Sequence, residues 1–146
     1  MQPSNFITPG LFKTVNGDSS QPIHGGHRII INMCSNSGDW EDNNTNKRWE
    51  KVKTEYKQWF RSQNKFIMGE MQVINVQSDT TVVNMLVLNK NEFDNDALFK
   101  CMDKVGELAK DFVSNVHINK GSNWAPIESM LVDRIIKRGI NVTIYE

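Results

Sequence analysis

Three carboxylates follow one predicted strand closely enough to support acid–base chemistry. Residues 28–40 read RIIINMCSNSGDW, so a run of Ile and Met breaks off at Cys34 into a polar loop, and Asp39, Glu41 and Asp42 lie in or just after it. A buried strand that ends in a small polar loop is how an open α/β sheet builds a ligand crevice. A carboxylate placed there can act as a general base on water. The three acids are therefore catalytic candidates, with ordinary surface acids as the alternative.

Histidine and cysteine side chains suggest two further chemistries, metal binding and nucleophilic catalysis. His24 and His27 have the spacing H-x-x-H, but no nearby Cys, His or acidic cluster supplies a third and fourth ligand. We therefore predict a solvated loop and no metal site. Cys34 has no basic partner in sequence, which favours packing over a nucleophilic role. His117 lies in a short apolar run, which favours a hydrogen-bonded core histidine over a catalytic base.

The length of the chain indicates a single domain over residues 1–146, and its composition gives no excess of positive or negative charge. Lys plus Arg and Asp plus Glu both number 17, so the net charge is zero and no basic field attracts nucleic acid. We therefore do not expect direct nucleic-acid binding. The two cysteines lie far apart in apolar segments, as reduced thiols of cytosolic proteins do. The sequence has no membrane-length apolar run and no signal-like start, so we expect no membrane association and a cytoplasmic location.

Strand and helix signals alternate along the chain. Apolar and β-branched runs predict strands over residues 11–15, 28–33, 71–76, 81–88, 116–118 and 141–145. Apolar residues at helical spacing predict amphipathic helices over residues 46–63 and from about residue 94. Pro126 suits the first turn of a last helix, with Asn123 as its cap and Gly139 as its end. This alternation predicts an α/β sandwich with a mostly parallel central sheet.

Nine short pieces of the sequence form a recognisable series when they are taken in order. They are GD at 17–18, RIIINMC with a Gly-x-Trp loop at 38–40, RW at 48–49, EYKQWF at 55–60, GEMQVINV from 69, VVNM at 82–85, ALFKCMDKV at 97–105, VHI at 116–118 and NVTIY at 141–145. In this order and spacing they resemble the macro domain family, in its branch of small stand-alone bacterial and viral members. The resemblance runs from about Thr14 to Tyr145. It implies a three-layer α/β/α sandwich whose central sheet is mixed and mostly parallel.

The resemblance also implies a ligand, ADP-ribose or an ADP-ribosylated macromolecule, and no cofactor. The family includes ADP-ribose readers, hydrolases that remove ADP-ribose, and phosphatases acting on ADP-ribose 1″-phosphate. Asp18 matches the acid that binds the adenine amino group, and Ser19 can offer its backbone N–H beside it. Tyr145 matches an aromatic residue that stacks on adenine, with an ordinary strand-end Tyr as the alternative.

The two loops that hold the ligand in the family differ in this sequence. Beyond its Trp the family has glycines, which let the backbone approach the distal ribose and diphosphate. Here residues 41–44 are Glu-Asp-Asn-Asn, and their carboxylates repel a diphosphate. The second loop, residues 119–123, is short and holds one glycine, although its lysine and the following helix N-terminus can attract an anion. The predicted ligand contacts in the two loops are Ser35, Asn36, Gly38, Trp40, Lys120, Gly121 and Ser122.

We therefore interpret the chain as a divergent macro domain that binds ADP-ribose or a related nucleotide, with weak or lost catalysis. Two alternatives stay open. The first is an ADP-ribosyl hydrolase or ADP-ribose 1″-phosphate phosphatase that uses Asp39, Glu41 or Asp42. The second is an interaction protein that keeps only the fold, with Trp40 closing the cleft. The Asn-, Ser- and Lys-rich composition is compatible with an AT-rich genome such as that of a phage, whose product would act in the host cytoplasm.

Overall fold

The computed structural model describes residues 7–23 and 25–146 and contains a seven-stranded sheet between helices. Its elements are, in chain order, β1 (Phe12–Val15), β2 (Arg28–Ser35), α1 (Asn44–Arg48), α2 (Lys51–Ser62), β3 (Met71–Gln77), β4 (Thr80–Asn89), β5 (Glu92–Phe93), α3 (Asn95–Asp111), β6 (Asn115–Asn119), α4 (Trp124–Arg134), a 3-10 turn (Ile136–Arg138) and β7 (Val142–Tyr145).

The sheet is mixed and mostly parallel, which confirms the predicted fold class. Its strand order is β1-β7-β6-β2-β4-β3, and the pairs along this path are parallel except β3, which runs antiparallel to β4. The short β5 pairs with the end of β4. Because β2 and β4 are neighbours and parallel, their carboxyl ends and the loops that follow them meet at one edge of the sheet.

Alternate residues of the central strands enter two different cores. Ile29 and Ile31 pack in the larger core with α3 and α4, whereas Ile30 packs with Val52 of α2 on the opposite face. This alternation follows from the two-residue period of a strand. It explains why β2 and β4 read as nearly continuous apolar runs, since both faces of a parallel strand are covered by helices. The structure thus has the three layers that the family resemblance implied.

The prediction of one helix over residues 46–63 is wrong, because the structure divides this segment into α1 and α2. Asn43 caps α1 by accepting a hydrogen bond from the backbone N–H of Asn46, and Trp49 then leaves the helical conformation with φ −130° and ψ 88°. The apolar spacing continues across the break, since Trp49, Val52 and Tyr56 all face the sheet side. That spacing alone cannot reveal the interruption.

The last helix also ends earlier than predicted. α4 stops at Arg134, and Gly139, with φ +85°, ends the separate 3-10 turn instead. Asn123 does precede α4, but it has a left-handed conformation (φ 58°) and its side chain makes no capping hydrogen bond. The two-residue β5 was not predicted, because so short a strand has no measurable period.

Candidate functional site

A cavity of about 460 Å³ opens at the carboxyl ends of β2 and β4. This volume is in the range of small-molecule sites. One wall is the end of β2 with the loop at residues 37–43, and the opposite wall is the turn between β4 and β5; Ser122 completes the rim. The polar loop that follows the apolar run in the sequence therefore does border a cleft.

Acidic side chains line the loop wall of this cavity. The structure brings Asp39, Glu41 and Asp42 together there, and Lys90 is the only basic residue among the described residues that line it. Asp42 pairs with Lys53 at 2.8 Å. The hydrogen bond and charge of Lys53 lower the pKa of the Asp42 carboxyl, which makes it a weaker base. A negatively charged diphosphate would be repelled at this wall.

Trp40 forms part of the wall and leaves the cavity open. Its indole ring lies 5.3 Å from the ring of Tyr56, and its Nε1 donates a hydrogen bond of 3.0 Å to Asn46 Oδ1. It also packs against Val52 and Ile30. These contacts fix the ring against α1 and α2. Trp40 therefore shapes the cleft beside it without filling it.

The last residue of β2 and the residues that follow it differ in what they can offer a ligand. Ser35 lines the cavity, and its Oγ donates to the carbonyl of Lys90 at 2.7 Å. Asn36 does not line it: its side-chain oxygen accepts from the backbone N–H of Lys90 at 2.8 Å, and its amide donates to Asn89. Asn36 thus holds the turn after β4. Position 38 favours glycine for two reasons. A Cβ there would lie 2.5 Å from the Phe60 ring, and the backbone φ is +83°.

Asp18 does not line this cavity, and its carboxylate already has several hydrogen-bond partners. Its carboxylate accepts from the backbone N–H of Ser20 (2.9 Å) and from the side-chain amides of Asn44 (3.2 Å) and Asn119 (3.3 Å). Burial raises the pKa of this carboxyl, but these hydrogen bonds outweigh burial and the pKa is below its ordinary value. The N–H of Ser19 donates to Asn119 at 2.8 Å. An adenine ring would have to share or replace these partners.

Tyr145 does not form the exposed stacking surface expected from the resemblance. Its side chain is only 1% exposed, and its hydroxyl accepts from the backbone N–H of Ile23 at 3.1 Å. The same hydroxyl lies 2.7 Å from His117 Nδ1, while His117 Nε2 contacts the side-chain oxygen of Asn115. Because an amide oxygen only accepts, Nε2 carries the proton and Tyr145 donates to Nδ1. Tyr145 is a core residue of the strand end, and His117 is the hydrogen-bonded core histidine predicted.

The loop at residues 119–123 contributes less to the cavity than the loop at residues 37–43. Lys120 does not line the cavity; its Nζ lies 3.4 Å from a carboxylate oxygen of Glu146. A Cβ added at Gly121 would meet no atom within 4 Å, and Ser122 is the one residue of the three that lines the cavity. Asp18 instead borders a separate, more open hollow, together with Asn44 and the basic residues at positions 47 and 48.

The remaining chemical candidates do not assemble into a site. Cys34 is buried, and burial raises the pKa of its thiol far above the ordinary value, which opposes a thiolate nucleophile. His24 lies outside the described residues. Within residues 7–23 and 25–146, no three His, Cys, Asp or Glu side chains approach closely enough to hold a metal ion. Over the same residues, none of the helices combines the length and apolar character needed to cross a membrane.

Sequence reasoning missed the two asparagines that bind Asp18 and the lysine that faces the acids. Asn119 stands directly after the predicted strand at 116–118, so its place at the carboxyl edge of the sheet could have been predicted. In the sequence, Asn44 only stands where the family has glycine; its hydrogen bond to Asp18 depends on the capped start of α1. Lys90 follows β4 in a left-handed conformation (φ 59°), for which the sequence gives no signal.

Comparison with known proteins gives structural relatives. No family model matches the sequence, and no curated protein does. A macrodomain protein from Streptomyces coelicolor is 26% identical with a TM-score of 0.87, covering 92% of this chain and 98% of that one. A protein of unknown function from Bacteroides thetaiotaomicron is 25% identical with a TM-score of 0.85, covering 93% and 98%. The macrodomain of Mycobacterium tuberculosis DarG, 14% identical with a TM-score of 0.75 and covering 93% and 97%, shares the fold.

These likenesses extend over nearly the whole chain and agree with the strand order, the helix layers and the cleft at the strand ends. They also agree with the ordered sequence pieces from GD at 17–18 to NVTIY at 141–145. The chain therefore has the fold of the macrodomains.

Proposed function

We propose that this chain binds ADP-ribose or a related nucleotide and has weak or no catalytic activity. The observation that carries the proposal is the open cavity of about 460 Å³ at the carboxyl ends of β2 and β4. Ligands of open α/β sheets bind outside these strand ends. Ser35 and Ser122 add hydroxyl groups to the lining, and such groups suit the hydroxyls of a ribose.

The pKa shifts of two side chains that line the cavity support weak or lost catalysis. Asp42 is held by Lys53 and its pKa is lowered, so it is a poor general base near neutral pH. Cys34 is buried and has a raised pKa. The second candidate function is an ADP-ribosyl hydrolase or ADP-ribose 1″-phosphate phosphatase, because Asp39 and Glu41 line the same cavity. The open cavity disfavours a protein in which only the fold is kept.

Calorimetric titration with ADP-ribose tests the proposal. We expect heat of binding with a Kd between about 10 µM and 1 mM, since the loop glycines of the family are replaced. The variant Ser122→Tyr adds a bulky ring at the cavity rim and should weaken binding at least about tenfold. Ser129→Tyr is the matched control, because Ser129 lies exposed on α4 away from this cavity. Absence of heat at millimolar ADP-ribose would refute the proposal.

Activity is tested separately on ADP-ribosylated protein and ADP-ribose 1″-phosphate. We expect no turnover above that of the triple variant Asp39→Asn, Glu41→Gln, Asp42→Asn. Turnover by the wild-type chain that disappears in the triple variant would favour the hydrolase or phosphatase instead. Turnover that survives the loss of all three acids would exclude them as its catalytic residues.

A further inference from the structure

The open hollow beside α1 has more positive than negative side chains. This α1 hollow has a volume of about 830 Å³ and is lined by Asp18, Ser20, Gln21, Pro22, Asn44, Lys47 and Arg48. Neither Lys47 nor Arg48 forms an ion pair with a carboxylate of the residues that the structure describes. The carboxylate of Asp18, by contrast, already accepts three hydrogen bonds from within the chain. The α1 hollow therefore presents two cations to an anionic ligand.

Contacts within the chain hold the guanidinium of Arg48 in place. Its Cζ lies 4.5 Å from the ring centroid of Trp49, and its Nη1 donates a hydrogen bond to the carbonyl of Ser20. Trp49 is itself fixed, because it packs against Ile30 and Val52 of the core. A guanidinium that is already ordered loses little conformational freedom when it binds a phosphate, and its planar N–H groups match two phosphate oxygens.

The α1 hollow lies next to the ligand cavity at the start of α1. Asn43 lines the cavity, and the residue that follows it, Asn44, lines the hollow. The two sites also interact through charge. Lys53 is the main cause of the lowered pKa of the Asp42 carboxyl at the cavity wall, and the charge of Lys47 adds to it. A ligand bound in the cavity therefore needs to cross only residues 43 and 44 to reach the cations.

Charge favours the α1 hollow over the cavity as the place for a diphosphate. Asp39 and Glu41 line the cavity without an ion-pair partner among the described residues, and Lys90 is the only basic residue of the described lining. Like charges at such a wall repel a phosphate. The α1 hollow has the opposite balance, with two cations against one carboxylate.

We propose that the α1 hollow is a phosphate-binding site in which Arg48 and Lys47 hold the diphosphate of the nucleotide ligand. The inference rests on the proposed function, because it concerns the same ligand. Arg48 supplies paired N–H donors, and Lys47 supplies a flexible point charge. The ribose then lies in the cavity beside the hydroxyl groups of Ser35 and Ser122, away from the two cations.

Calorimetric titration of three charge-removing variants with ADP-ribose tests the proposal. Lys47→Gln should raise the Kd about fivefold or more, because it removes a charge that contacts the phosphates. Lys110→Gln is the matched control, since this exposed lysine in the last turn of α3 lines neither the cavity nor the α1 hollow. Lys53→Gln removes the charge that pairs with Asp42 at the cavity wall and should have a smaller effect than Lys47→Gln. An unchanged Kd in Lys47→Gln, or an equal rise in either of the other variants, would overturn the proposal.

Pyrophosphate separates the failure of this inference from the failure of the proposed function. At millimolar concentration it should shift the amide NMR signals of Lys47 and Arg48 but not those of Asp39 and Ser122 at the cavity, and Lys47→Gln should weaken these shifts. Such shifts in a chain that gives no heat with ADP-ribose would refute the proposed function and still support the phosphate site. Shifts that are absent or confined to the cavity would overturn the phosphate site. ADP-ribose binding that is lost in Ser122→Tyr but unchanged in Lys47→Gln would overturn it too, and the proposed function would stand.

Discussion

The side-chain amide of Asn44 donates a hydrogen bond of 3.2 Å to the carboxylate of Asp18. This bond joins the first residue of α1 to the loop after β1, and Asn119 adds a second donor from the end of β6. The resemblance assigns this carboxylate to an adenine amino group, which is a donor of the same kind. Asp18 therefore has a structural role in this chain in addition to any role in binding.

The hydrogen bonds to Asp18 predict how stability depends on pH. The pKa of Asp18 in the folded chain is below its ordinary value, so the ionised form stabilises the fold. This contribution is fully present above the unfolded-state pKa of about 3.9 and is lost as pH falls through the lower folded-state pKa. We expect the urea midpoint to fall as pH decreases below about 4, and less steeply in Asp18→Asn.

Urea unfolding at several pH values between about 2.5 and 7 measures this effect. Asp42 and Asp79 also have lowered pKa values, so part of the acid dependence should persist in Asp18→Asn. Glu107→Gln is the control, because Glu107 is exposed and outside the ion pairs found. Identical acid slopes for Asp18→Asn and the wild type would contradict the role assigned to these hydrogen bonds.

The Tyr145 hydroxyl should matter more for the fold than for ligand stacking. Tyr145→Phe leaves His117 Nδ1 without its donor and the N–H of Ile23 without its acceptor. We expect a loss of about 1–3 kcal/mol in the free energy of unfolding. The Ile23 amide should also exchange its hydrogen faster, because the hydroxyl ties that loop to β7.

Tyr56→Phe is the matched control for this prediction. The hydroxyl of Tyr56 donates to the carbonyl of Ser35 at the end of β2, whereas the N–H of Ile23 donates to Tyr145. We expect a comparable loss of stability, measured by urea unfolding, with unchanged exchange at Ile23. Protection of the Ile23 amide that survives Tyr145→Phe would show that other contacts hold the loop.

Gly38 and Gly121, in the loops after β2 and β6, should respond differently to replacement by alanine. In Gly38→Ala the new Cβ would lie 2.5 Å from the Phe60 ring, at a φ of +83°. We expect a loss of about 1–3 kcal/mol, because both the close contact and the backbone conformation oppose a side chain. In Gly121→Ala nothing lies within 4 Å of the new Cβ, so we expect unchanged thermal stability. Equal melting temperatures for the two variants would contradict the steric role of Gly38.

The sequence predicts the sheet well because both strand faces are buried. The apolar runs at 28–33 and 81–88 match β2 and β4 to within two residues at either end, and their parallel pairing follows from the alternation with helices. The break between α1 and α2 is different. It depends on the capped turn at Asn43 and on Trp49 packing against Ile30, and neither interrupts the apolar spacing.

The sequence predicts where the candidate site lies in the fold but does not predict the orientation of its side chains. The loop after β2 reaches the cleft as expected, because a strand end fixes where the next residues begin. Which way each side chain turns depends on partners that are distant in sequence. Asn36 turns to Lys90 across 54 positions, and Tyr145 turns inward to His117. No local pattern encodes these choices, so adjacent residues such as Ser35 and Asn36 have different surroundings.

The two cysteines should be unreactive in the folded chain. Burial raises the pKa of the Cys101 thiol to about 12 and that of Cys34 still higher, so almost no thiolate forms near neutral pH. A thiol-specific reagent at pH 8 should modify both cysteines in the urea-unfolded chain. In the same time it should modify neither cysteine of the folded chain. The Ser122→Cys variant, placed at the cavity rim, supplies an exposed thiol as a positive control. Rapid native labelling of Cys34 would reopen the nucleophilic role, since it would place an accessible thiol at the end of β2 inside the cavity wall.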